Sequence, residues 1–377
     1  SFDHRERDWK SETNMEVSSM KNSIKAFAAV ALLATTALSV PAFAQGVNIM
    51  DGVTERAGDN PVVPAGKYKK DCGWKIGMSH FGVNANTWTV QVAHESQGAA
   101  AAVDCIEKFV LLDAGFDQKK QVADIEDLIA QGMDAIIVQP VTSTSADASI
   151  AKAIAAGIPV VLHTGRIESD AFTTEIQGGA EHFGKVMGDW LVESVGQDGK
   201  IWVLRGLAGH PEDTNRYNGL KQSLEGTNIE ILVEEHGDWQ YDKTKKLCET
   251  LYLNNPNVDG IWSSGADMTR ACVDVFKQFG ATIPPISGEG NNGYFGQWIK
   301  DGFASISAEY SPAQGAAGVR AAVALLEGKE LKKHYDYNPD GWDVEKAKTY
   351  YRDDLSANVW WPTELPEEKL QELYSKK

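Results

Sequence analysis

From position 74 onward the chain alternates short apolar runs with longer amphipathic stretches. The runs fall at 74–78, 135–138, 158–162, 200–204, 229–234 and 260–262. Between them, 87–110, 121–131, 149–156, 180–195, 216–224, 241–253 and 268–279 repeat apolar positions at helical spacing and predict helices. Gly132 and Gly157 stand where two of these helices should stop. Brief apolar runs between amphipathic helices predict parallel strands buried on both faces, hence an α/β fold with right-handed crossovers. In such sheets ligands bind beyond the carboxyl ends of the strands. The candidate chemistry therefore belongs in the loops 79–88, 139–145, 163–173, 205–216, 236–241, 263–268 and 287–294. These loops are rich in Asn, Asp, Glu, Arg, His, Trp and Gly, a mixture that suits a small polar ligand.

Residues 20–44 do not fit the alternation. Lys21 and Lys25 precede an uncharged apolar stretch to Val40, and Ala42-Phe43-Ala44 places small residues where a signal peptidase reads. This is the pattern of a secretory signal peptide cut before Gln45, and it is too short for a membrane span. Residues 1–19 read as an upstream extension or remnant. The protein is expected in a periplasm. Residues 45–377 suffice for two domains with their own cores. A net charge of −17 excludes binding of nucleic acid or anionic lipid by bulk electrostatics. The four cysteines, Cys72, Cys105, Cys248 and Cys272, form neither a CxxC pair nor a zinc-finger spacing. In an oxidising compartment they are candidates for the disulfides 72–105 and 248–272, with Cys105 late on the first helix; the alternative reading is buried free thiols.

Gly288-x-Gly290-x-x-Gly293 follows a strand-like segment and formally matches the dinucleotide fingerprint. That fingerprint belongs in the first βα unit of its fold, and this match comes late in the chain. The glycines are read instead as letting the backbone turn close to a ligand. There is no nucleophile elbow, zincin motif or phosphate-binding loop. His80, His163 and His210 each lie in a strand-to-helix loop and read as single polar contacts, so no metal or cofactor is expected. Glu289 and Glu309 read as hydrogen-bond acceptors rather than as the paired acids of a glycosidase. Trp88 and Trp239 end polar loops, where an indole face can stack on the apolar face of a sugar.

The stretch 121–162, with its DLIAQG turn, its strand entering a P-x-x-S/T loop and its AGIPVV strand, resembles the type I periplasmic binding proteins of the ribose/galactose group. So do 205–220, Gly237-Asp238-Trp239, and the segment from Asn257 to Met268. The resemblance runs from about 74 to 329. It implies two Rossmann-like lobes with parallel sheets joined by a three-crossing hinge. The N-terminal lobe would comprise 73–177 and 310–337, the C-terminal lobe 178–309, and a tail 338–377 would lie on both. It also implies a ligand set of Asn86, Trp88, His163, Arg166, Arg216, Trp239, Asp267, Glu289, Asn291 and Glu309, in which Arg216 donates, the two tryptophans stack and the two glutamates accept. The chain departs from the ribose pattern at His163-Thr164-Gly165-Arg166, at Gly265 where asparagine is usual, at Glu289, at Glu309, and in a tail containing NVWWPTELPEEKLQELY. The implied function is capture of a sugar or polyol, as a monomer, for the permease of an ABC transporter, without catalysis. The rival readings are a sensor presenting its ligand to a chemoreceptor or kinase, and a nicotinamide-dependent or hydrolytic enzyme.

Overall fold

The computed structural model describes residues 47–338 and 340–376. The signal peptide and the upstream extension expected over 1–44 lie outside the described residues. Two sheets organise the fold. The first has seven strands in the order Val53–Glu55, His334–Tyr337, Thr174–Gln177, Val160–His163, Ala135–Val138, Trp74–His80, Ile106–Asp113. All its pairs are parallel except the first. The second has six strands in the order Gly341–Trp342, Ser305–Ala308, Ile286–Glu289, Gly260–Ser263, Lys200–Arg205, Glu230–His236. Here only the Gly341–Trp342 pairing is antiparallel. The chain passes between the sheets at 178–179, at 309–313 and between Tyr337 and Gly341.

The strands Ala135–Val138, Val160–His163 and Gly260–Ser263 are buried at every position. That burial is what their unbroken apolar runs require. The expected helix 87–110 is two elements. Thr87–Ala101 is helical, and Ile106–Asp113 is a strand at the sheet edge beside Trp74–His80. The alanine-rich spacing before position 102 fits a helix, whereas the β-branched and aromatic residues after Cys105 fit an edge strand that is only half-buried. Cys105 therefore lies in the turn before that strand, not on a helix. Its backbone carbonyl accepts from the Gly73 and Trp74 amides.

Both disulfides are present, Cys72–Cys105 with Cα atoms 4.6 Å apart and Cys248–Cys272 with 5.4 Å. The second joins the helices Tyr241–Asn254 and Ala266–Gln278.

The helix expected from 216 begins at Pro211. His210 caps it by accepting from the Glu212 amide, and Pro211 fills the first turn, where no amide donor is missed. This helix crosses Ala180–Val195 at close range. A Cβ on Gly184 would lie 1.8 Å from the Arg216 carbonyl oxygen, and one on Gly219 2.0 Å from that of Glu181. Two glycines thus set the depth of the helix that carries Arg216.

Candidate functional site

The carboxyl ends of strands from both sheets converge on a partly enclosed cavity. Phe81, Trp88, Trp239, Tyr310 and Trp360 supply aromatic wall, and Gln139, Thr164, His210, Glu212, Arg216, Asp267 and Glu289 supply polar groups.

Arg216 is the best-anchored of these side chains. Its guanidinium lies 3.9 Å from the Phe183 ring centroid and 4.4 Å from that of Tyr310. Nη2 donates to Glu289 Oε1 at 3.1 Å, and Nη1 donates to Glu289 Oε2 at 3.3 Å and to the Ser264 carbonyl at 2.6 Å. Both partners are buried. Burial pushes Glu289 above the usual carboxylate range, against the pull of Arg216. Burial also opposes the Arg216 charge, but Glu289, Tyr310 and Glu212 outweigh it and hold Arg216 above its ordinary value. Arg216 and Glu289 therefore bind each other first. What Arg216 leaves unpaired is its Nε–H.

Trp239 is turned into the cleft by two consecutive left-handed residues, Asp238 (φ 55°) and Trp239 (φ 57°). Thr164, across the cavity, also has a positive φ of 45°. Such conformations cost energy and persist where packing fixes them. The Trp239 indole donates to the Ser264 carbonyl. A Cβ on Gly206 would lie 2.1 Å from the Trp239 ring, and one on Gly265 2.7 Å. Gly265, the departure from the usual asparagine, is thus where the indole takes the space.

Asp267 spans the cleft. Its Oδ1 accepts from Arg270 and Asn291, and its Oδ2 accepts from Thr87 Oγ1 at 3.1 Å on the opposite side. Trp88 lines the cavity with its indole donating to the Tyr310 carbonyl. Asn86 lines it too, while its side chain caps the helix that carries Trp88.

Four expected ligand residues lie elsewhere. His163 is fully buried behind Thr164, with Nδ1 3.1 Å from Thr164 Oγ1. Asn291 caps the helix Asn292–Asp301 and steers Asp267. Arg166 is exposed in an adjoining hollow, with Gln177, Lys185 and Asp336, that shares Glu212 with the cavity. Glu309 lies in a hollow with Asp340, Trp342 and Lys346, whereas its neighbour Tyr310 lines the cavity. Extended backbone sends consecutive side chains to opposite sides, so only one of that pair can reach the cleft. Nor do the three glycines of the 288–293 match line this cavity. Gly288 makes room for the Tyr294 ring, Gly290 for the Trp361 carbonyl and Gly293 for Ala357.

Sequence reasoning missed Phe81, Gln139, Thr164, Glu212, Tyr310 and Trp360 as site residues. Gln139 carried a signal, as the first residue after a buried strand. Trp360 carried none, because it comes from a segment remote from every strand end.

Burial pushes His80, His163 and His210 down to about 3, so all three are neutral. His210 Nδ1 accepts from the Glu212 amide, which places the proton on Nε2. His210 Nε2, Arg216 Nε and both side-chain amide atoms of Gln139 are buried without a partner among the described residues. Among the described residues no group of three His, Cys, Asp or Glu could hold a metal ion.

A family model described as "Periplasmic binding protein domain" matches residues 80–330. The ribose import binding protein of Bacillus subtilis is 25% identical over 232 residues, covering 60% of this chain and 74% of that protein. The xylitol-binding protein of Mycolicibacterium smegmatis is 28% identical over 227 residues, covering 58% of this chain and 64% of that protein. Among solved structures, the periplasmic binding protein component of the arabinose ABC transporter from Shewanella sp. ANA-3, bound to α- and β-L-arabinofuranose, is 26% identical. It matches with a TM-score of 0.68, covering 74% of this chain and 94% of that one. Two sheets joined by three crossings, a cleft at their carboxyl ends and the matched span agree: the chain belongs to the periplasmic binding protein domain family.

Proposed function

We propose that this chain captures a neutral sugar or polyol between its lobes and delivers it to the permease of an ABC transporter. The observation that carries the reading is the set of buried polar atoms left without a partner on side chains that line the cavity. His210 Nε2, Arg216 Nε and Gln139 Nε2 are donors, and Gln139 Oε1 is an acceptor. Buried polar groups are normally satisfied, and each left unmade costs about 1–3 kcal/mol. A ligand whose hydroxyl groups both donate and accept answers all four, while its C–H faces suit the aromatic walls.

Neutrality follows from the charges. Arg216 offsets Glu289, and Arg270 offsets Asp267. Glu212 accepts from the Tyr310 hydroxyl and lies in the field of Arg216. Glu289 and Asp267 already hold internal donors and leave no charge demanding a cationic ligand.

The relatives named for ribose and xylitol, and the neighbour bound to arabinofuranose, support the same ligand class. The secretory pattern at 20–44 supports a periplasmic location for the protein, which acts without chemistry on its cargo. The polypeptide 45–377 is tested by thermal shift against D-ribose, L-arabinose, xylitol, myo-inositol and NAD. Ligand at a hundred times its Kd adds about 2.7 kcal/mol, enough to raise the midpoint by several degrees. A shift with one sugar or polyol and none with NAD is expected. A shift with NAD alone contradicts the reading.

A further inference from the structure

The NVWW segment lies outside the residues that match the family model, yet Trp360 lines the cavity. The tail that carries it is built into the protein on both sides of the cleft. On one side, Asn292 Nδ2 donates to the carbonyls of Arg352, Leu355 and Ser356. The Asn292 and Gly293 amides donate to the Val359 and Ala357 carbonyls, and the Trp361 amide donates to Gly290. On the other side, the Gln91 side chain grips the Trp360 backbone in both directions. Its Oε1 accepts from the amide at 2.8 Å and its Nε2 donates to the carbonyl at 3.1 Å. The Trp360 indole N–H donates to Thr87 Oγ1 at 2.9 Å, and Thr87 Oγ1 donates in turn to Asp267.

The only polar atom of the Trp360 side chain is therefore spent inside the protein, and so is its backbone. What the residue offers the cavity is apolar ring surface, beside the donors that Gln139, His210 and Arg216 offer elsewhere. A ligand hydroxyl turned toward it would lose water and gain no partner. A C–H face would gain contact and stacking.

We propose that Trp360 is a specificity-determining residue, a tail-borne wall that admits a ligand presenting a C–H face, not a hydroxyl, on that side. This rests on the sugar-or-polyol reading above. The glycines at 290 and 293, which mimic a nucleotide fingerprint, serve this arrangement by letting the tail approach close enough to place the indole.

The test is titration calorimetry of the unmodified chain, Trp360→Ala, Trp360→Phe and Trp361→Ala against D-ribose, L-arabinose, xylitol and myo-inositol. Trp361 is the neighbouring buried indole and does not line the cavity. Trp360→Ala is expected to weaken the preferred ligand by about tenfold or more and to change the ranking of the panel. Trp360→Phe, which keeps an apolar ring, stays within about threefold. Trp361→Ala lowers the unfolding midpoint but preserves the ranking. Unchanged affinity in Trp360→Ala overturns the proposal, and so does an equal loss with an unchanged ranking in both alanine variants. If the unmodified chain binds none of the four, the sugar-or-polyol reading falls and this proposal with it.

Discussion

Arg216 and Glu289 can each carry charge in the cleft only because the other is there. Removing one partner of a buried ion pair costs about 3–5 kcal/mol, because the survivor stays buried and uncompensated. Arg216→Ala should therefore lower the ligand-free unfolding midpoint by several degrees. It should also weaken sugar binding by about tenfold or more, since a buried donor to the ligand is gone. Arg216→Met combined with Glu289→Leu should recover much of the stability but not the binding, which separates the two roles in one pair of melting and titration experiments. Trp239 gives a second residue-scale prediction. Gly206→Ala places a methyl 2.1 Å from the indole in the present geometry, so the ring must leave. Affinity should fall while the disulfides and the fold persist, as ligand titration and circular dichroism would show. Residue types were readable in the sequence here, with tryptophans and an arginine in strand-end loops. Pairing was not. That Arg216 spends most of its donors on Glu289 and Ser264 depends on distances between segments far apart in the chain.

Buried strands and capped helices were legible in the chain because their signals are local. An apolar run of four residues and a glycine stop need no knowledge of the rest of the fold. The edge strand Ile106–Asp113 was not, because its run Phe109-Val110-Leu111-Leu112 follows the alanine-rich helix with no glycine or proline between Ala101 and Ile106 to mark the break. Elements also carry two predictions of their own. The Cys248–Cys272 bond ties two helices across a separation of 24 residues, and losing a disulfide that closes such a loop typically costs about 2–4 kcal/mol. Cys248→Ala with Cys272→Ala should lower the melting midpoint without changing ligand preference, because neither cysteine lines the cavity.

The second concerns the contact between the helix Thr87–Ala101 and the tail. Glu95 is buried there and accepts from Thr363, Gln91 and the Glu364 amide. Burial pushes Glu95 up to about 7, against those hydrogen bonds. The folded state thus holds its proton where the unfolded chain, near 4.5, has released it. Its contribution to stability is complete below about pH 4.5 and is lost as pH rises to about 7. Glu95→Gln should flatten that part of the stability profile and stabilise the protein most above pH 7. Melting curves from pH 4 to 8 would show it, and identical slopes in both proteins would refute it.

At the scale of the molecule, the parallel α/β sheets and the cleft at the strand ends follow from the order of strands and helices, whereas the two lobes and their three crossings were legible only through the family resemblance. The tail is the exception. It adds Gly341–Trp342 to the second sheet, crosses to the first lobe through Gln91 and Glu95, and puts an indole into the cleft between. No local pattern announces a tryptophan that reaches a site made by other segments. The central claim is capture without conversion. Its most direct measurement is titration calorimetry of the unmodified protein with the sugar or polyol that shifts its melting most, followed by recovery of the ligand for chromatography. One ligand per chain, saturable and recovered unchanged, is the predicted result. A ligand consumed during the titration, or no saturable binding to any sugar or polyol, would contradict it.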